Sequence, residues 1–279
     1  MLRPVNWVGG KARLANRLAA LLPEHRRFCE VFGGGAAVLF AKPPSEMEVY
    51  NDLDEGLVNF FRVVRNPRLC KRLIRLLRFT PYARKEWDWS RRRWKHVNTD
   101  RVERARRWYV VARQSFGGIF GSSWAFDVGA EKSSANVWSR RIEELMQVSE
   151  RLRRVQVDCL DWRRCADRYN EWGTDGVFYM DPPYAPSTRK SNKLYQHEMT
   201  EDDHRELIDW LLSDCKVRVL LSGYDSALYR TLEKNGWARK EFRANCSCAG
   251  RTRGSGRIGT GSCADQARTE VVWANYQLN

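Results

Sequence analysis

The first sixty residues constrain the fold most. Arg27 to Phe32 reads as a short apolar strand running into Gly33-Gly34-Gly35. Ala36 to Ala41 begins a helix, Glu48 to Asn51 is a second strand, and a helix follows over Glu55 to Val64. Strands joined through a glycine turn and a helix lie parallel, because a hairpin cannot return the chain in the same direction. The pattern therefore predicts an α/β chain built on an open parallel sheet. A helix over Lys11 to Leu22 precedes this unit. Strands resume at Val155 to Val157, Gly176 to Met180 and Val217 to Leu221, with helices over Glu201 to Ser213 and Ser226 to Asn235. Trp237 to Arg243 and Glu270 to Asn275 read as a closing hairpin. Its connection, Ala244 to Arg268, is rich in Gly, Ser and Arg and long for a loop.

Between the two sets of strands the alternation stops. Arg68 to Leu77 is a basic helix with Leu69, Leu73, Ile74 and Leu77 on one side, and Thr80-Pro81 breaks it. Glu103 to Gln114 and Arg140 to Leu152 are further helices, separated by the glycine-rich stretch Phe116 to Trp124. Residues 67–150 thus form a mostly helical insertion in a domain made of 1–66 and 151–279. The chain carries 49 Lys and Arg against 34 Asp and Glu, a net charge of +15. Between Arg62 and Arg113 alone, 18 basic residues stand against 4 acidic ones. A short basic run is usually a solvated helix face. This one is long and interleaved with Trp87, Trp89, Trp94 and Trp108, which points to a polyanion such as nucleic acid. It is not one amphipathic helix with a clean apolar face, which disfavours a membrane surface. No apolar run reaches the length of a membrane span.

The N-terminus lacks the basic-then-apolar build of a signal peptide. The eight cysteines have no disulfide-framework spacing, so reduced thiols in a cytoplasm are expected. Cys246, Cys248 and Cys263 cluster without a fourth ligand, and no metal is expected there.

Four segments carry chemistry. Asp181-Pro182-Pro183-Tyr184 follows the strand Gly176 to Met180, where ligands bind in open parallel sheets. Its plain reading is a strand stopped by prolines. Its chemical reading starts from an aniline-like amine, a poor nucleophile because its lone pair is delocalised. A carboxylate at Asp181 and the carbonyl of Pro182 can accept the two N–H bonds and free the lone pair. The prolines hold that carbonyl outward, and Tyr184 offers a ring to stack on. The turn therefore points to amine methylation. Glu30 to Ala36 holds the glycine turn, which lets the backbone approach a ligand but lacks the dinucleotide and P-loop spacings. Tyr50-Asn51-Asp52-Leu53-Asp54 ends the second strand, where an acid accepts ribose hydroxyls or caps the next helix; Asp52 is assigned to the ribose and Asp54 to the cap. Asn6 to Lys11 places Trp7 beside Gly9, Gly10 and Lys11, either a helix start with a packed Trp or an apolar lid with a cation.

In this order the segments resemble the Dam-type (D12 class, alpha arrangement) N6-adenine DNA methyltransferases. The resemblance runs from Trp7 through Tyr184 and continues at Tyr195 to Thr200 with His204, at Leu221 to Tyr224 and at Arg268 to Asn275. It implies a Rossmann-like methyltransferase sheet with a target-recognition insertion, and S-adenosylmethionine as methyl donor. By matching position the cofactor pocket would comprise Trp7, Gly10, Lys11, Phe32, Gly33, Gly34, Gly35, Asp52, Leu53 and Asp181. Asp161-Trp162 would meet the cofactor adenine, with Asp158 as a rival. Asp181, Pro182, Pro183 and Tyr184 would form the catalytic face, acting on an adenine flipped out of duplex DNA. DNA contacts are expected from Arg91, Arg92, Arg93, Ser115, Gly117, Gly118, Arg189, Lys190 and Lys193. The resemblance also suggests a bacterial or phage origin and leaves a monomer open. Members that read GATC carry an Asn/Gly segment and an Arg where this chain has Phe116 to Gly121, so GATC specificity does not carry over; a relaxed or different site is expected. Guanine readout usually needs Arg or Lys, and upstream arginines on phosphates position without specifying. N4-cytosine methylation, RNA adenine methylation and a catalytically silent nucleic-acid binder remain as alternatives. The absence of a Pro-Cys dipeptide counts against C5-cytosine chemistry.

Overall fold

The computed structural model describes residues 2–7, 9–96, 98–127, 133–185, 197–245 and 267–278. Among these residues seven strands make one sheet: β1 (Arg27–Glu30), β2 (Met47–Asn51), β3 (Val155–Asp158), β4 (Gly176–Met180), β5 (Arg218–Gly223), β6 (Ala238–Asn245) and β7 (Ala267–Ala274). The helices are α1 (Ala15–Ala19), α2 (Ala37–Ala41), α3 (Glu55–Arg65), α4 (Pro67–Arg78), α5 (Arg84–Arg93), α6 (Arg101–Gln114), α7 (Ser134–Glu143), α8 (Leu145–Leu152), α9 (Trp162–Tyr169), α10 (Glu201–Ser213) and α11 (Arg230–Lys234). The strand order is β3-β2-β1-β4-β5-β7-β6. β3, β2, β1, β4 and β5 are parallel, and β7 inserts antiparallel between β5 and β6. This is the expected Rossmann-like α/β architecture with its closing hairpin.

Successive strand residues point to opposite faces, and the sheet is buried on both. Phe28, Tyr50, Val177 and Tyr179 join one core with α1 to α8. Cys29, Val49, Phe178 and Met180 join the other with α9, α10 and α11. The basic helices share the first core. Phe60 on α3 lies 5.4 Å from Trp108 and 5.1 Å from Tyr109 on α6, ring to ring. The helices that follow residue 67 thus pack continuously with the sheet and its own helices.

Three of the four tryptophans read as interleaved with nucleic-acid-binding arginines belong to this core: Trp87, Trp94 and Trp108 are buried. Trp89 is less buried and sits among several cations, 4.4 Å from the Arg107 guanidinium and 5.2 Å from that of Arg93; Arg91 also stacks on Trp87 and Lys95 on Trp94. Much of the positive charge on α6 is also spent internally. Arg106 pairs with Glu86 and Glu103, Arg107 pairs with Glu103, and Arg113 is buried with Nη1 donating to Asn6 Oδ1 at 2.7 Å. Arg91, Arg92 and Arg93, by contrast, are exposed in the last turn of α5.

Some local expectations shift. α1 covers only the middle of Lys11 to Leu22, and no side chain caps its start. The helix read over Arg140 to Leu152 divides at Glu144. α5 is charged along most of its length, so apolar periodicity does not announce it; buried Trp87 and Ser90 anchor it. α9 hides a helical period, Trp162, Cys165, Ala166 and Tyr169, among charges.

Gly56 is where α3 meets the basic helices most closely. A Cβ there would fall 2.4 Å from Trp108 Cδ1 and 2.5 Å from Trp94 Cζ3. Gly56→Ala should therefore destabilise by about 1–3 kcal/mol in urea unfolding, overpacking outweighing the better helix propensity. A neutral or stabilised variant would show that this contact opens freely.

Candidate active site

The strand order reverses direction at β1 and β4, so a crevice opens beyond their carboxyl ends. A cavity of about 330 Å³ occupies it. Each of the twelve residues expected to hold a cofactor lines this cavity. They arrive from five places: the N-terminal segment, the turn after β1, the end of β2, the start of α9 and the end of β4.

The glycine turn is held from both sides. Tyr50 donates its hydroxyl to the Gly34 carbonyl at 2.9 Å, and the Gly34 N–H donates to Asp52 Oδ2 at 2.7 Å. A Cβ on Gly33 would lie 2.2 Å from the Tyr50 ring, and one on Gly34 2.8 Å from the Trp7 ring. Gly34 also has φ +45°. Packing alone demands glycine here, before any ligand is considered. Trp7 covers this turn from above, in keeping with a lid.

Asp52 accepts a second N–H, from Asp54, at 2.8 Å. Burial nonetheless pushes its carboxyl up to about 6, against the pull of the amides. Asp54 caps α3, accepting from Gly56 and Leu57 N–H, as expected. Asp161 caps α9 through the Arg163 N–H at 2.9 Å and borders the cavity with Trp162. Its rival Asp158 accepts the Tyr169 hydroxyl at 2.5 Å and does not line the cavity.

Asp181 sits at the end of β4 against Lys11, whose ammonium donates to Oδ1 at 2.6 Å and Oδ2 at 2.8 Å. Lys11 also donates to the Gly9 carbonyl at 3.2 Å and to the Tyr184 hydroxyl. The cation expected beside the Trp7 lid is thus engaged by the Asp181 turn. Burial pushes Asp181 up to about 6; Lys11 opposes the shift and Glu270 adds to it. Tyr184 is itself buried, its ring centroid 4.2 Å from that of Tyr224. Pro183 lines the cavity.

Sequence reasoning passed over four contributors. Glu30 ends β1 facing the cavity and accepts the Leu39 N–H at 2.9 Å, one of the orphan donors at the start of α2. Burial pushes its carboxyl up to about 8. Asn51 clamps two loops, donating to the carbonyls of Val31 and Leu160 and accepting the Leu160 N–H. Met199 adds an apolar wall. Glu270 reaches Lys11 and Tyr184 from β7. An acid at the end of an apolar strand was the visible signal for Glu30; Asn51 and Glu270 had none beyond the resemblance.

Of the expected DNA contacts, Ser115 needs correction. It is buried, accepts from Trp87 Nε1 and the Gly121 N–H at 3.0 Å each, and donates to the Val111 carbonyl at 2.7 Å. Its hydroxyl shapes the following loop and does not face outward. Gly117 and Gly118 adopt φ of +66° and +74° in that loop. Gly118 comes next to Asn6, so the loop borders the segment that carries Trp7. Arg189, Lys190, Lys193, Cys246, Cys248 and Cys263 lie outside the described residues.

The sequence profile described as D12 class N6 adenine-specific DNA methyltransferase matches residues 7–244. The chain belongs to this family. It is 31% identical to the Type II methyltransferase M1.LlaDCHI of Lactococcus lactis subsp. cremoris, over 99% of this chain and 96% of that protein. It is 27% identical to the DNA N-6-adenine-methyltransferase of Escherichia phage P1, over 89% of this chain but 33% of that longer protein. A DNA adenine methylase of Vibrio cholerae is 25% identical over 83% of this chain and 86% of its own length. Among the described residues no helix is long and apolar enough to cross a membrane.

Glu30 gives the site a pH signature. A carboxyl raised to about 8 stabilises the fold fully below its unfolded value, roughly 4.3, and that contribution is lost as pH rises through 8. The ligand-free protein should therefore lose thermal stability as pH rises from 6 to 8, with this contribution levelling off above that, and Glu30→Gln should flatten the slope. Parallel curves for the two proteins would exclude Glu30 as the titrating group.

Proposed function

We propose that this protein transfers a methyl group from S-adenosylmethionine to the N6 amine of adenine in DNA, on a base flipped out of the duplex. The observation that carries the reading is the shared cavity: the Asp181 turn, the glycine turn and Asp52 all open onto one cleft.

The cleft suits the proposed donor. Its walls are aromatic at Trp7, Phe32 and Trp162 and acidic at Asp52, Asp161 and Asp181. Acidic walls favour a cationic sulfonium, and Asp52 keeps carboxylate lone pairs for ribose hydroxyls. S-adenosylmethionine, when bound, supplies an electrophilic methyl group. The chain's own residues prepare the acceptor. Asp181 would accept one N–H of the target amine and Pro182 the other through its carbonyl, so that the nitrogen lone pair is released from the ring. Lys11 holds the carboxylate in place. Tyr184, backed by Tyr224, offers a rigid surface for the flipped base.

The exposed arginines of α5 and the loop at Gly117 and Gly118 support a duplex bound along the helical side of the cleft. Contacts from Arg91 to Arg93 would be mainly to phosphates, in keeping with relaxed or non-GATC recognition.

Transfer of labelled methyl to duplex DNA, single-stranded DNA and RNA tests the assignment. Label is expected in duplex DNA as N6-methyladenine; label recovered in cytosine, or in RNA alone, would overturn it. Asp181→Ala should lower transfer by at least about 100-fold while cofactor and DNA affinities stay within a few fold, and retained turnover would remove Asp181 from the chemistry. DNA affinity should fall linearly with salt on logarithmic axes, as counterion release requires. A flat dependence would move DNA binding off the basic helices.

A further inference from the structure

Glu270 stands on β7, which the hairpin lays antiparallel beside β5, with Val271 opposite Gly223. That pairing carries Glu270 to the edge of the cleft, where its side chain is only 6% exposed. Its Oε1 accepts the Tyr184 hydroxyl at 2.7 Å and lies 3.2 Å from the Lys11 ammonium. Lys11, 5% exposed, donates to both oxygens of Asp181 and to the Tyr184 hydroxyl. One ammonium therefore lies between two carboxylates. The single phenol proton is committed to Glu270, which leaves the Tyr184 oxygen to accept from Lys11.

We propose that Glu270 is a positioning residue of the methyl-transfer site: its charge competes with Asp181 for Lys11, orients the Tyr184 hydroxyl, and sets the pH range over which Asp181 can accept the target amine. The inference rests on the functional reading above and deepens it.

Charge matters here as well as hydrogen bonding. A phenol needs only a neutral oxygen to donate to, and a glutamine would serve. A nearly buried carboxylate carries a large desolvation cost unless it is paired, and its partner here is the cation that also serves Asp181. A negative neighbour makes a carboxyl harder to ionise, and Glu270 acts on Asp181 in that direction. Other groups within electrostatic reach of Asp181 are Glu30 from β1, Tyr179 from β4 and Tyr229 beyond β5. These groups are the same in both variants, so comparing Glu270→Gln with Glu270→Asp reads the charge of Glu270.

Two variants separate charge from shape. Glu270→Gln keeps an oxygen for Tyr184 but removes the charge; Glu270→Asp keeps the charge. The Asp181 carboxyl is followed by carbon-13 NMR titration in the ligand-free full-length protein. In Glu270→Gln its midpoint should fall by on the order of one pH unit, and in Glu270→Asp it should stay close to wild type. In methyl-transfer assays the acid limb of kcat/KM should move to lower pH in Glu270→Gln by the same amount, with cofactor affinity within about threefold. An unmoved midpoint in Glu270→Gln, or an equal shift in both variants, would overturn the proposal, because a purely structural role moves turnover without moving the titration. An inactive wild type would instead overturn the functional reading, and the NMR titration would still decide the role of Glu270.

Discussion

Pairing of β1 with β4 is the contact on which the site depends. The strands run in register from Arg27 opposite Gly176 to Glu30 opposite Tyr179, although most of the helical chain separates them in sequence. Parallel pairing brings both carboxyl ends to one edge, and the reversal of strand order there prevents the connecting segments from closing over the gap. The glycine turn and the Asp181 turn face each other as a consequence. Neither turn is a site alone: one is a glycine bend shaped by Tyr50 and Trp7, the other a proline stop.

The cleft concentrates carboxyl groups that burial makes reluctant to ionise. Asp52 and Asp181 are held near 6 and Glu30 near 8. Their environments differ, and so do their partners. Asp52 has backbone N–H groups, Asp181 has an ammonium, and Glu30 has the start of a short helix. A cationic ligand would repay the desolvation of such walls more than a neutral one, which agrees with a sulfonium donor in this family. The Lys11 ammonium is shared among Asp181, Tyr184, Glu270 and the Gly9 carbonyl.

The helical segment spends most of its buried aromatics and several of its arginines on its own packing. Its tryptophans build the core that α3 completes, and Arg106, Arg107 and Arg113 are consumed by internal pairs or by burial. Arg91 to Arg93 stay exposed in the last turn of α5, although Arg91 also reaches Asp88 and the Gly121 carbonyl. Net charge over a window thus overstates the exposed positive surface, because a sum cannot tell an internally paired arginine from an exposed one. Arg113 ties this segment to the cleft: its Nη1 donates to Asn6 Oδ1 next to Trp7, whose ring packs on the glycine turn.

Much of the fold was legible because its signals are local. Apolar strands, a triple glycine, prolines after a strand and the cap at Asp54 act within a few residues, and β4 and α10 span the expected residues. The twelve residues expected to hold a cofactor line one cavity, and nine of them stand in the turns at strand ends or at the start of α9, where short-range pattern and chain order coincide. What depended on distant contacts was not legible. Ser115 looked like a loop hydroxyl until Trp87 and Gly121 were seen to claim it. Trp94 and Trp108 looked like surface aromatics until α3 packed beneath them, and Glu270 looked like an ordinary strand acid until β7 carried it to Lys11. The sequence by itself determined the parallel sheet, the order of its turns and the chemistry each can offer. Only the tertiary structure decided which charges neutralise one another, because pairing depends on distances that packing sets and spacing along the chain does not record.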